Sequence, residues 1–361
     1  MTPIVLLPLL CCLAALCSGD GPEAKIDAAR VMTTLRALPT ARAVRGTVES
    51  QQGLVKTEEL IGQWLKDLGY TPKVQDLAWN LKYQSEQEKK SGLPGKLPDT
   101  TDELAAHTWH NFIVEVPGKE MPEEVLILSA HFDAAPGAPG ADDDGTGTAA
   151  LLEIARVLKD KPMRRTVRMI FFNLEEAGLH GSIQYVKGRD RKEKIIGMVS
   201  MEMLGYYSDK PNSQKSPIPK IEGVFDPPTV GDFIGMATVK KHQAFSQRLN
   251  KEMLASAPGL KTVVVDFVPI APPDFLRSDH APFMLAGLPG VMLTDTSNFR
   301  NPNYHKSTDT VETIEEARFI LVTRAVAGAA YRIAEPFPAP PTPPLAEPPI
   351  KEPRAAEPGV K

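Results

Sequence analysis

The sequence predicts an α/β fold in which one sheet is covered by helices on both sides. Three observations carry this. Val125–Ala130 and Val167–Asn173 are nearly continuous apolar runs, as expected of strands buried on both faces. Segments with apolar residues at helical spacing alternate with the strand-like runs. The 361 residues are 42% hydrophobic and 24% charged, which is globular usage with ample core and excludes global disorder or a collagen-like chain.

Along the chain, Ala24–Leu38 and Val55–Leu68 read as amphipathic helices. Asn111–Val116, Val125–Ala130, Val167–Asn173, Ile196–Met201, Val263–Val268 and Val291–Asp295 read as strands. Thr148–Lys159 places Leu151, Leu152, Ala155 and Leu158 on one helical face, and Arg318–Arg332 is a second clear helix. Residues 80–104 and 206–232 are polar and read as surface excursions, the second long enough to act as a lid. No internal repeat is present.

The ends differ from the middle. Residues 1–19 carry no charged side chain, and the apolar run Ile4–Cys17 is too short to span a bilayer comfortably. A signal peptide cleaved after Gly19 is expected, although its start lacks Lys or Arg; a buried N-terminal element and lipidation at Cys17 are the other options. The expected destination is export, secreted or periplasmic. Cys11, Cys12 and Cys17 are the only cysteines, so a processed chain has no thiol for disulfides or Cys-zinc sites. Residues 335–361 hold ten of the 34 prolines and read as an extended, disordered tail. The expected organisation is a signal peptide (1–19), one domain (20–334) and this tail. The formal charge of −4 offers no basic field for nucleic acid.

Sites in open α/β sheets form at the carboxyl ends of strands, so the residues just past each strand are informative. After Val125–Ala130 comes His131-Phe132-Asp133, a candidate ligand with a carboxylate two residues on to hold its second nitrogen. Ala141-Asp142-Asp143-Asp144-Gly145 directly precedes a helix. It is either an acidic capping loop or a carboxylate nest whose repulsion a dication would offset. Glu175-Glu176 ends a nearly all-apolar strand, and one member could bind metal while the other acts as a base. Glu202 sits among apolar residues, where a carboxylate must be paired, protonated or metal-bound. His305 lies in a loop before the last helix. His107, His110, His180 and His242 have no supporting constellation and read as structural or surface residues, and His280 is ambiguous. Nitrogen and oxygen donors without sulfur suit catalytic zinc, and five protein ligands suit two metals sharing a carboxylate.

This series, His131-x-Asp133, Asp142-Asp143-Asp144-Gly145, Glu175-Glu176, Glu202 and Tyr304-His305, resembles the di-zinc aminopeptidases of clan MH over roughly residues 105–333. Glutaminyl cyclases and zinc carboxypeptidases share that clan. The resemblance implies a three-layer α/β/α fold with a mixed, mainly parallel eight-stranded sheet, two zinc ions per chain and peptide substrates. Residue by residue, it implies that Asp143 bridges the metals, that His131 and Glu202 complete one zinc site, and that Glu176 and His305 complete the other. Glu175 would be the general base, Asp133 would orient His131, and Tyr304, with help from Arg277, would polarise the substrate carbonyl. Glu202 departs from the pattern, since the family commonly has Asp there. The activity implied is a zinc-dependent aminopeptidase. The alternatives are a glutaminyl cyclase-like enzyme working with one zinc, a carboxypeptidase, or a non-catalytic scaffold on the same fold.

Overall fold

The structure is a computed structural model and describes residues 21–338. The expected signal peptide with Cys17, and the tail beyond Pro338, lie outside the described residues. Two helices open the fold, α1 (Ala28–Ala37) and α2 (Val48–Asp67). The Asp27 side chain caps α1 by accepting from Ala29 N and Arg30 N, and Thr47 caps α2 through Ser50 N. Strand β1 (Lys73–Asp76) is next, then α3 (Leu81–Lys90), α4 (Asp102–Ala105), β2 (His110–Val116), β3 (Met121–His131) and α5 (Gly147–Leu158). The second half holds β4 (Arg165–Phe172), α6 (His180–Gly188), β5 (Lys194–Glu202), β6 (Ile234–Ala237), α7 (Gln243–Ser256), β7 (Thr262–Val265), α8 (His280–Leu285), β8 (Gly290–Thr294) and α9 (Glu316–Ile333).

All eight strands form one sheet in the order β1-β2-β4-β3-β5-β8-β6-β7. Its centre, β4-β3-β5-β8, is parallel, whereas β1, β2 and the β8–β6 junction pair antiparallel. This is the mixed, mainly parallel sheet that was expected. Strand β3 shows why its run is apolar throughout. Leu126, Leu128 and Ala130 enter the larger core with Leu151, Ile154 and Leu158 of α5 and Phe319 of α9. Val125 and Ile127 enter the opposite core with Tyr185 and Val186 of α6 and Phe283 of α8.

Several expectations change. Residues 80–104 are not a bare excursion but contain α3 and α4. Helix α3 is polar nearly all round, buries only Leu81 and Ser85, and begins where the Asn80 side chain accepts from Tyr83 N. Strands β1 and β6 have four residues each, too short for a clear pattern. Strand β7 stops at Val265 because Asp266 turns inward and accepts from Gln243 Nε2 and Ser246 Oγ. The folded unit also runs past 334. Glu335 pairs with Arg164 at 2.6 Å, Pro336 bridges to Met163, and Phe337 N donates to Pro162 O. Among the described residues, no helix is long and apolar enough to cross a membrane.

Candidate metal centre

The parallel centre of the sheet brings the sequence-predicted ligands to one edge. His131 is the last residue of β3 and Glu202 the last of β5, while Glu175 and Glu176 lie just after β4. Two loops complete the group. The β3–α5 loop carries Asp143 and the β8–α9 loop carries His305. Backbone strain marks the same places: Leu174, Met203 and His305 have φ of 59°, 57° and 57°, the left-handed region that non-glycine residues rarely adopt.

Five predicted ligands fall into two triads that share Asp143: His131, Asp143 and Glu202, then Asp143, Glu176 and His305. His131 Nε2 lies 3.2 Å from Asp143 Oδ1 and 3.5 Å from Glu202 Oε2. His305 Nε2 lies 3.0 Å from Asp143 Oδ2 and 3.1 Å from Glu176 Oε1. Zinc bonds of about 2.0–2.1 Å in a tetrahedron separate neighbouring ligand atoms by about 3.3–3.4 Å, so the spacing fits that ion. A second observation agrees. His131 Nε2, both Asp143 oxygens and Glu176 Oε1 are buried without a hydrogen-bond partner of acceptable geometry. Groups of this kind are costly unless something else satisfies them. The residues present therefore fit a pair of dications.

The electrostatics reflect four carboxylates crowded with two imidazoles. Burial, reinforced by Glu202 and Glu176, holds the Glu175 carboxyl well above the ordinary carboxylate range against the pull of His131. Burial and the Asp143 charge push Glu176 up to about 7. Burial also acts upward on Asp143, but the His131 and His305 imidazoles outweigh it and hold that carboxyl below its usual value. Against the downward push of burial, Asp143 and Glu176 carry His305 up to about 10.

Beneath the ligands lies a second set of carboxylates that grips the backbone. Asp144 accepts from His131 N, Gly147 N and Met203 N, so within the acidic run it is a cap and a strand clamp. Asp142 accepts from Gly205 N and Asn301 Nδ2. Asp133 does more than its expected role. His131 Nδ1 lies 3.1 Å from its main-chain carbonyl and 3.4 Å from its Oδ1, and the carboxylate also accepts from Glu175 N and Glu176 N. It therefore pins the turn that carries the expected base as well as orienting the imidazole.

Sequence reasoning missed four supports. Arg42 is fully buried and donates to the carbonyls of Phe132, Pro139 and Gly140, bracing the β3–α5 loop. Asp309 accepts from Asp142 N and Asp143 N. Ser278 Oγ donates to Glu202 Oε2 at 2.7 Å. The fourth is Glu58, on which His107 and His110 converge, so these two histidines do have a constellation. No local pattern marks Arg42, Asp309 or Glu58 in the sequence.

Tyr304 sits at the cleft beside the triads, its ring stacked on His305 at 3.8 Å between centroids. Its hydroxyl accepts from the Arg277 guanidinium at 2.7 Å. Burial and the nearby Asp143 and Glu202 charges raise its pKa, so it is a neutral phenol with a proton to donate. Glu202, Arg277 and Tyr304 stand in the wall of a cleft whose other walls include Ile218, Phe225, Phe233, Phe275 and Met292. Segments 206–232 and 265–300 both contribute to these walls.

Residues 111–330, more than half of the chain, match peptidase family M28. Over 221 residues the chain is 31% identical to the uncharacterized protein YfbL of Escherichia coli, covering 57% of this chain and 66% of that one. Over 230 residues it is 26% identical to the aminopeptidase YwaD of Bacillus subtilis, covering 61% of this chain and 43% of that one. The chain thus spans between two-fifths and two-thirds of the length of these curated relatives. Among solved structures, it is similar in fold to the LapA aminopeptidase of Legionella pneumophila, with a TM-score of 0.63, 18% identity, and 87% of this chain and 73% of that chain covered.

Proposed function

The chain belongs to peptidase family M28, and from that premise we propose that it is a zinc-dependent aminopeptidase that removes N-terminal residues from peptides. The observation that carries the reading is the pair of triads sharing Asp143, with the buried Glu175 carboxyl beside them. His131, Asp143 and Glu202 would hold one ion, and Asp143, Glu176 and His305 the other. When bound, zinc supplies Lewis acidity, polarising a carbonyl and lowering the pKa of water to about 7.

The chain's own residues do the rest. Glu175 takes the proton of the attacking water, helped by surroundings that favour its protonated form. It then gives that proton to the leaving amine. The Tyr304 hydroxyl, held by Arg277, donates to the oxygen that gains charge as the carbonyl is attacked. The apolar cleft wall receives the first side chain of the peptide and keeps water from it. The free N-terminal ammonium would sit near the second metal site and its carboxylates, which favours exopeptidase action. Two complete triads favour this reading over a one-zinc cyclase.

The N-terminal segment (1–19) is proposed as an export signal and the Pro-rich end as a spacer, making this an enzyme that works outside the cytoplasm. The test is an assay of the processed protein on a panel of aminoacyl chromogenic substrates, before and after chelation. Hydrolysis that prefers apolar residues, vanishes with chelator and returns with zinc is expected. Cyclisation of N-terminal glutamine with one zinc per chain, or no activity in the zinc-loaded protein, overturns the proposal.

A further inference from the structure

A third convergence of histidine and carboxylate lies outside the centre just described. Among the described residues, Glu58, His107 and His110 are the only other triad of this kind whose donor atoms come together. Helix α2 supplies Glu58, the turn after α4 supplies His107, and the first residue of β2 supplies His110. His107 Nε2 lies 3.1 Å from Glu58 Oε2, and His110 Nδ1 lies 3.3 Å from Glu58 Oε1. One ligand atom from each residue lies within 4.8 Å of the others, and the His107–Oε2 distance is close to a tetrahedral zinc edge of about 3.3–3.4 Å.

Three further features suit a bound cation. The Glu58 side chain is only 7% exposed while both imidazoles are 26% exposed, so the anionic ligand is deep and the site opens to solvent through the histidines. His110 offers Nδ1 to the triad and turns Nε2 away from it, toward the Asp76 carboxylate 3.6 Å off. Glu58 Oε1 is already held by His110 N and Asn173 Nδ2, whereas Oε2 meets only His107. A cation can thus take Oε2 without breaking the inner bonds. Two imidazoles and one carboxylate suit zinc and its transition-metal neighbours rather than calcium or magnesium.

The inner bonds lead to the catalytic loop. Asn173 donates to Glu58 through Nδ2, and its Oδ1 accepts from Leu174 N, the residue in left-handed conformation just before Glu175. We propose that Glu58, His107 and His110 form a separate zinc-type site, which, when filled, fixes the Glu58 carboxylate under the loop that carries Glu175 and Glu176. The site is structural or regulatory in character, since none of its three ligands reaches the cleft.

Equilibrium dialysis against zinc tests this with the full processed chain and its His107→Ala and His110→Ala variants. Each variant is expected to bind one equivalent fewer than the unaltered chain, and calcium at the same concentration is expected to add none. Because all three chains share the same catalytic centre, the difference holds whether or not the aminopeptidase reading survives. A zinc-edge anomalous map of the unaltered chain needs no variant and should show a peak between His107 Nε2, His110 Nδ1 and Glu58. Equal stoichiometry in all three chains, or a zinc-soaked crystal without that peak, overturns the proposal.

Discussion

Two layers of acidic side chains lie one above the other at the carboxyl edge of the sheet, and they differ in what their oxygens meet. In the lower layer, Asp133, Asp142, Asp144 and Asp309 accept main-chain N–H groups from His131, Asp142, Asp143, Gly147, Glu175, Glu176, Met203 and Gly205. In the upper layer, both oxygens of Asp143 and one of Glu176 are buried without a formed hydrogen bond and meet only the imidazoles of the triads. All are carboxylates, and Asp143 is buried like the lower four. What separates scaffold from reacting group is whether the fold supplies hydrogen bonds or leaves the carboxylate for a ligand. The neighbours Asp142, Asp143 and Asp144 show this within three residues.

The largest effect expected from the comparison is at Asp143. Asp143→Asn should lose both catalytic zinc equivalents and fall to background hydrolysis. Metal analysis and the aminoacyl assay check this, and retention of zinc would break the distinction. Next comes Glu175→Gln, expected to lower kcat by about 10²–10⁴-fold while zinc content and melting temperature stay unchanged. Near-normal turnover in that variant removes Glu175 from the role of base.

The lower layer should respond in stability rather than in metal. Asp142→Ala strands Gly205 N and Asn301 Nδ2, at about 1–3 kcal/mol for each buried donor left unpaired. Urea unfolding should shift accordingly while zinc stoichiometry is kept. His280 extends the contrast to a buried imidazole. Its Nε2 faces Phe275 O, its Nδ1 has no partner, and burial pushes its pKa down to about 4. Between about pH 6.5 and 4 the unfolded chain binds a proton there that the folded chain refuses. Stability should therefore fall as pH is lowered across that window, by up to about 1.4 kcal/mol per pH unit from this residue, and be flat above it. A His280→Gln variant should lack this part of the slope in urea midpoints measured against pH. The smallest change expected is at Glu202→Asp. The shorter chain draws back from Ser278 Oγ, and zinc affinity at that triad should drop by about tenfold.

The same contrast explains how much of the molecule was legible in its sequence. His131, Glu176 and Glu202 end or come just after long apolar strands, so a polar residue there stands out, and the parallel sheet carries them to one edge. The acidic run was readable as either a cap or a metal nest; in the structure Asp144 accepts from Gly147 N, while Asp143 joins both candidate triads. Helix α3 and strands β1 and β6 were not readable, because they are short or bury little apolar surface, so pairing and capping rather than periodicity hold them. Arg42, Asp309 and Glu58 were invisible for another reason. Each acts on atoms distant in sequence, and only the folded chain shows a buried guanidinium at the β3–α5 loop or two histidines turned onto one carboxylate.

Anomalous diffraction at the zinc edge from crystals of the zinc-loaded protein tests the upper layer most directly. Two peaks about 3.5–4 Å apart should flank Asp143, one beside His131 and Glu202 and the other beside Glu176 and His305. A map with no density at Asp143, or with ions seated instead on the hydrogen-bonded Asp142 or Asp144, would contradict the division between the layers.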